Sequence, residues 1–329
     1  MFLSQRAVAA RNIQLDPTAC IVCQWRTFST SYQALVEKKK LSKPVIRAPL
    51  LADAPRAYGK IVKEFTPKPL NQPIGLESPP QVWENSGIDT RTRKQKWDDY
   101  FDREKHLKKR EELTKKFATS YYREWSNMRL HKGKSFVAPP RLFKAEFARY
   151  FPNFVGKTLV KESPMRNTTP ELQDRISVVS VYSTKWALDQ AKTFLLEKNN
   201  PQLHEVIRNS DVAQFLQINV EENSFRHAII NLLKPSLRKE VGLENWSRYF
   251  VVKRNIPEDH REAIGYLNSK VGYVYLVDAQ CRIRWAGSGN AEAGEKEGLV
   301  AGVKRLIEEI KTSEKTLRAI PASVEGETY

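Results

Sequence analysis

A chain of 329 residues exceeds a typical single domain of roughly 100 to 200 residues and leaves room for a packed core plus extended segments. Its formal charge of +17 belongs to one half: residues 29–150 hold 27 Lys and Arg against 14 Asp and Glu, while residues 151–329 hold 25 against 23. No run approaches the ~20 apolar residues of a membrane-spanning helix, which favours a soluble or peripheral protein, and the basic half suits phosphate, anionic lipid or an acidic protein face.

Residues 1–28 carry Arg6, Arg11 and Arg26 against a single acid, Asp16, and resemble a mitochondrial presequence. Arg26-Thr27-Phe28 followed by Ser29 fits the matrix-processing pattern of Arg, any residue, an aromatic and a small residue, so the mature chain is expected to start at or shortly after Ser29. Cleavage there removes Cys20 and Cys23, the only CxxC pair, and leaves Cys281 alone. An internal disulfide is then impossible. A zinc site needs about four ligands, and no second Cys/His pair stands at usable spacing.

Residues 29–91 are rich in Pro and turn residues, most densely in PKPLNQPIGLESPP from Pro67 to Pro80. Proline fixes extended backbone and removes donors. Two readings stay open: an arm wrapped on the domain through Leu70, Ile74, Leu76 and Trp83, or an unstructured linker.

Residues 92–140 form a basic helical segment, with one long helix expected over Arg93 to Met128, a stretch free of Pro and Gly. Trp97, Tyr100, Leu107, Tyr121, Trp125 and Met128 fall near helical spacing, and Arg103, Lys105, Lys108, Lys109, Arg110, Lys115 and Lys116 crowd the rest of the surface. Such a stripe either packs on the domain beneath a solvated charged face or meets a partner or a lipid surface. For the second reading the contact residues are Trp97, Lys108, Lys109, Arg110 and Trp125.

Residues 141–315 read as an α/β domain, followed by a tail over 316–329. Tyr150 to Phe154 and then Gly156 to Leu159 fit the opening of a peroxiredoxin-like domain. Ile176 to Lys198 is a buried strand that turns at Ser183-Thr184-Lys185-Trp186 into a helix. Gln214 to Val220 is a strand, Ser224 to Leu233 a helix stopped by Pro235, and Arg248 to Lys253 a further strand. Val271 to Val277 and Cys281 to Trp285 make a hairpin, and Ala291 to Lys311 is the last helix. The order β, α, β, α, β, β, α is thioredoxin-like.

The chemistry of that fold is missing. The turn at Ser183 stands where a redox enzyme carries its reactive cysteine at a helix N-terminus, which lowers a thiol pKa, and here it holds no cysteine. Val271-Gly272 stands where such enzymes place a cis-proline. Gly287-Ser288-Gly289-Asn290 completes no phosphate-binding motif, and the acids Glu292, Glu295 and Glu297 that follow oppose phosphate. The five histidines share no ligand spacing, so no catalytic residue, cofactor or metal is expected. Arg282, Arg284 and Trp285 on the hairpin form a second candidate contact set, because Arg and Trp are enriched at interface hot spots.

Three longer motifs carry a family resemblance: PKPLNQPIGL; YFDREKHLKKREELTKKF with REWSNMRLHKGKSFVAPPRLFKAEFARYFPN; and VGYVYLVDAQCRIRWAGSGNAE. Over about Pro67 to Ile310 the sequence resembles the fungal mitochondrial ATP synthase assembly factor that acts as a chaperone of Fo subunit 6. The resemblance implies a peripheral protein on the matrix side of the inner membrane that binds newly made subunit 6 and promotes its joining with the subunit 9 ring. It implies no enzyme activity and no small-molecule substrate, and it transfers no site residue. Two other classes remain as alternatives: a mitoribosome or RNA-associated factor using the basic half, with nucleic acid the lesser expectation, and a redox protein working through Cys281.

Overall fold

The computed structural model describes residues 51–319 apart from 52, 59–60, 87–91, 119–121, 162–163, 222–233 and 254–255. The presequence, the start at Ser29 and the helix expected over Ser224 to Leu233 lie outside the described residues.

Among the described residues eight strands form one sheet: β1 (Arg149–Tyr150), β2 (Val155–Thr158), β3 (Met165–Asn167), β4 (Ile176–Tyr182), β5 (Ala213–Val220), β6 (Tyr249–Val252), β7 (Tyr273–Val277) and β8 (Arg282–Ser288). Their spatial order is β1-β8-β7-β4-β5-β6-β2-β3. β4, β5 and β6 run parallel, and β7 and β8 return antiparallel beside β4. β4 is central and buried at all seven positions, as its Val-rich run requires of a strand covered on both faces. Val179 and Val181 face a core with Leu216, Ile218, Phe250, Tyr273 and Tyr275. Ile176 and Val178 face the opposite core with Phe194, Trp285, Leu299 and Val303.

Eight helices are used below: α1 (Arg93–Phe101), α2 (Arg103–Ala118), α3 (Arg123–Asn127), α4 (Thr169–Leu172), α5 (Lys185–Leu195), α6 (Pro201–Arg208), α7 (Glu258–Ala263) and α8 (Glu295–Ala319). Residues 234–241 are helical as well. α5 begins where Thr184 Oγ1 accepts the Ala187 N–H at 3.1 Å. α6 begins at Asn200, whose side chain accepts the Leu203 N–H, with Pro201 in the first turn where its missing donor costs nothing.

From Pro67 to Leu76 the Pro-rich segment lies on the domain, whereas Trp83, expected as a further anchor, is 50% exposed. Leu70 and Ile74 are buried in the same core as β4. The Leu70 N–H donates to Val137 O at 3.0 Å, and Leu76 exchanges both backbone bonds with Tyr150 at 2.8 and 2.9 Å. The backbone groups between prolines thus find partners on the domain rather than in water.

The single helix expected over Arg93 to Met128 is broken. Asp102 is extended, and its carboxylate caps the next helix by accepting the Glu104 and Lys105 N–H groups at 3.0 and 3.3 Å. An aspartate that satisfies free amide donors competes with helix continuation. α1 has no buried residue, so its part of the aromatic stripe does not pack on the domain. α3 does pack: Glu124 and Asn127 are buried, and Met128 lies against the core.

The segment after α3 is threaded into the domain. Phe136 and Ala138 are core residues, Phe143 N–H donates to Arg284 O at 2.8 Å, and the buried Lys134 ammonium meets Glu295 at 2.8 Å. Glu295 also accepts the Ala138 and Glu292 N–H groups, each at 2.7 Å. A buried carboxylate with this many donors tethers the threaded segment to the first turn of α8.

Candidate functional site

The position of the reactive thiol is filled by polar and backbone contacts. Ser183 is buried and its hydroxyl donates to Ser269 O. Opposite α5, the Gly272 N–H donates to Gln190 Oε1 at 3.0 Å, and the Gln190 amide donates onward to Lys132 O at 2.8 Å. A Cβ at Gly272 would stand 2.1 Å from Ala187 O, so the chain passes α5 at a distance only glycine allows. Among the described residues there is no cis peptide bond.

Cys281 lies a strand away, in the turn between β7 and β8. It is buried, and burial together with Asp278 and Asp174 pushes its thiol up to about 12. A thiol held that high stays protonated near neutral pH, which opposes a nucleophilic role. No cluster of metal-binding side chains occurs among the described residues.

Ser269 links this site to the basic segment. Glu124 of α3 accepts the Ser269 N–H at 3.1 Å and its hydroxyl at 2.5 Å, while Arg261 and Lys270 lie 3.0 and 3.5 Å from the carboxylate. Burial alone would raise the Glu124 carboxyl. The Arg261 guanidinium, the Ser269 hydroxyl, the Lys270 ammonium and the Ser269 N–H outweigh it and hold the group below its ordinary value. Sequence reasoning passed over Glu124 as one acid among many in a charged helix, since nothing in its spacing marks it as buried.

The expected contact residues separate into two groups. Trp97, Tyr100 and Phe101 are each 66% exposed and touch edge to face, with ring centroids 5.3 Å apart for Trp97 and Phe101 and 5.5 Å for Tyr100 and Phe101. Lys109 and Arg110 are exposed, and the side chain of Lys108 lies outside the described residues. Trp125 is partly exposed on α3. Nearby, Ile61 and Tyr122 are about three-quarters exposed beside Lys63, Arg123 and Arg129, on a cleft with no carboxylate among its described lining residues. Phe101 and Tyr122 were missing from the sequence reading; Phe101 was detectable as the i+4 neighbour of Trp97.

The hairpin set is corrected. Trp285 is fully buried, donates its indole N–H to Pro139 O at 2.9 Å and packs on Phe194. Arg284 is buried between Asp278 at 3.3 Å and Glu309 at 3.0 Å, and Arg282 pairs with Asp278 at 2.9 Å. These residues hold the hairpin to α8 and offer no contact surface at Arg284 or Trp285. Alternation along a strand cannot reveal that both faces of β8 are covered.

A parallel β4-β5-β6 core, an antiparallel β7-β8 hairpin and a helix rising from a capped turn define a thioredoxin-like protein whose thiol position carries no thiol. The profile of the family described as ATP10 protein matches residues 59–306, and the chain belongs to that family. It is 30% identical to the mitochondrial ATPase complex subunit ATP10 of Eremothecium gossypii, over 85% of this chain and 97% of that one. It is also 30% identical to the protein of the same name from Saccharomyces cerevisiae, over 74% and 88%. Solved structures that resemble it include a DsbF homologue from Corynebacterium diphtheriae, at 15% identity and a TM-score of 0.33 over 51% of this chain and 90% of that one. A yeast mitochondrial 1-Cys peroxiredoxin matches at 14% identity and a TM-score of 0.29, over 54% and 82%.

Proposed function

We propose that this chain is a non-enzymatic assembly factor of the mitochondrial ATP synthase, which holds newly made Fo subunit 6 at the matrix face of the inner membrane and promotes its joining with the subunit 9 ring. The observation that carries the reading is membership of a family whose relatives are named mitochondrial ATPase complex subunits, combined with a thioredoxin-like site that has lost its thiol. A hydrophobic membrane subunit needs apolar contact from its chaperone, and an anionic membrane surface attracts cations. The exposed Trp97, Tyr100 and Phe101 supply the first, and Lys109, Arg110 and the cations around Tyr122 supply the second.

Pulse-chase labelling of mitochondrial translation products in a deletion strain tests the reading. Subunit 6 is expected to be made at a near-normal rate and then lost before it joins the subunit 9 ring, with the F1 sector formed. Stable, normally assembled subunit 6 would refute the assignment, and failure to synthesise it would favour a translation or RNA-binding role.

A further inference from the structure

α3 is fastened to the domain along one side. Glu124 is held by Ser269, Arg261 and Lys270, and the Asn127 amide donates to Arg56 O at 3.0 Å. Tyr122, Arg123, Ser126, Arg129 and Leu130 fall on the rest of the helical circumference and the turn that follows it. Together with Ile61, Val62 and Lys63 of the Pro-rich segment they line a cleft of about 570 Å³, a volume within the range of small-molecule sites.

The cations of this cleft are unmatched. Lys63, Arg123 and Arg129 make no side-chain hydrogen bond or ion pair among the described residues, although Arg123 is half-buried. Other partly buried cations of the protein are matched: Arg56 lies 2.7 Å from Glu262, Arg261 3.0 Å from Glu124 and Arg282 2.9 Å from Asp278. No carboxylate is among the described lining residues, and the adjoining sequence Gly59-Lys60 and Thr119-Ser120-Tyr121 contains none. Cations gathered in one cleft repel one another and attract an anion. Arginine in particular suits phosphate, which its planar fork can meet with two parallel bonds.

The apolar part of the lining selects an anion that carries hydrocarbon. Ile61 and Tyr122 are about three-quarters exposed. Wetted aliphatic and tyrosine side chains next to cations match the boundary between headgroups and acyl chains, where an aromatic ring sits in the apolar layer and its hydroxyl in the polar one. A soluble phosphate leaves Ile61 and Tyr122 in water, whereas a phospholipid covers them.

We infer that this cleft seats the headgroup of one anionic phospholipid, with its phosphate among Lys63, Arg123 and Arg129 and the first methylenes of its acyl chains against Ile61 and Tyr122. The inference rests on the proposed station at the inner-membrane surface and adds a discrete lipid site to it.

Calorimetric titration of the full chain with monomeric dihexanoyl phosphatidylglycerol tests the site, and saturable one-to-one binding is expected. Dihexanoyl phosphatidylcholine should bind about tenfold more weakly, because its choline brings another cation to the cleft. Glycerol 3-phosphate should also bind about tenfold more weakly, because it covers no apolar side chain. Arg123→Gln with Arg129→Gln should lower phosphatidylglycerol affinity about tenfold or more, and Ile61→Ser about threefold or more. Unfolding midpoints of the unliganded variants should stay level; if the arginine pair fails to fold, Ile61→Ser decides. Lys304→Gln with Lys311→Gln removes the same charge from exposed positions of α8 and should leave affinity within about twofold. Non-saturating uptake, an equal loss in the α8 control, glycerol 3-phosphate held as tightly as the lipid, or full affinity in folded cleft variants would overturn the inference. The pulse-chase experiment keeps it apart from the assembly role. Lipid binding through the cleft with normal subunit 6 in the deletion strain removes the assembly role alone, and loss of subunit 6 without saturable lipid binding removes the lipid site alone.

Discussion

The Gly272 N–H donates to Gln190 Oε1 at 3.0 Å, joining the start of the hairpin to the middle of α5. In redox enzymes of this fold the same place carries a cis-proline lying against the reactive cysteine. Here Gln190 is buried, spends its carbonyl on Gly272 and its NH₂ on Lys132 O, and ties both to the segment that follows α3. Ser183 takes a separate bond of its own, donating its hydroxyl to Ser269 O. Both positions are packing contacts.

That contact makes Gly272 intolerant of a side chain. Gly272→Ala would set a Cβ 2.1 Å from the Ala187 carbonyl oxygen, a backbone atom that cannot rotate away. A loss of about 3 kcal/mol or more is expected. Gly298 in α8 offers the contrast, with its nearest neighbour at 3.7 Å, so Gly298→Ala should be neutral or stabilise by up to about 1 kcal/mol through helix propensity. Urea unfolding midpoints of the two variants check the pair.

Glu124 should give the protein an acid limb. Its folded-state value lies below the ordinary 4.5, so its contribution to stability is fully present above pH 4.5 and is lost as pH falls through the folded value. Glu124→Gln leaves Arg261 and Lys270 half-buried beside a neutral amide and should cost about 3 kcal/mol near neutrality. The gap between wild type and variant should narrow below pH 4.5. Stability measured from pH 3 to 7 reads this directly, and a constant gap would rule the ion cluster out as its cause.

Cys281 should behave as a packed residue. With its thiol pushed up to about 12, native protein at pH 8 should resist alkylation and label fully only in denaturant. Cys281→Ser is expected to leave client assembly intact, and the wild-type protein should show neither disulfide reductase nor peroxidase turnover. Turnover that depends on Cys281 would return the chain to the redox class.

The exposed aromatics should separate function from stability. Replacing Trp97 and Phe101 with Ser, at positions with little to unpack, should shift stability by no more than about 0.5 kcal/mol each while lowering recovery of subunit 6 in crosslinked pull-downs. Charge reversal at Lys109 and Arg110 should weaken the salt-sensitive part of membrane association, which is screened within about 8 to 10 Å at physiological ionic strength. Trp285→Ala should do the opposite and cost about 3 to 5 kcal/mol of stability through a core cavity. Normal recovery of subunit 6 by the Trp97 and Phe101 variant would remove α1 from the contact.

Sequence alone determined what depends on local order. The Val-rich run of β4, the hairpin of β7 and β8 and the apolar stripe of α8 are written in local composition and in periods of two and 3.6 residues, and those patterns hold wherever the segments lie. The missing thiol was legible for the same reason, since a residue type at one turn needs no tertiary context. Tertiary structure decided everything that depends on what lies opposite. Leu70 and Ile74 could be called core or linker only once the domain stood beside them, and Arg284 and Trp285 looked like surface until α8 and Pro139 covered them. Ser180, Gln217 and Tyr249 lie more than thirty residues apart from one to the next, and only parallel pairing sets them in a row. Burial and register are relations between distant segments, and a chain read one residue at a time records the segments but not what they face.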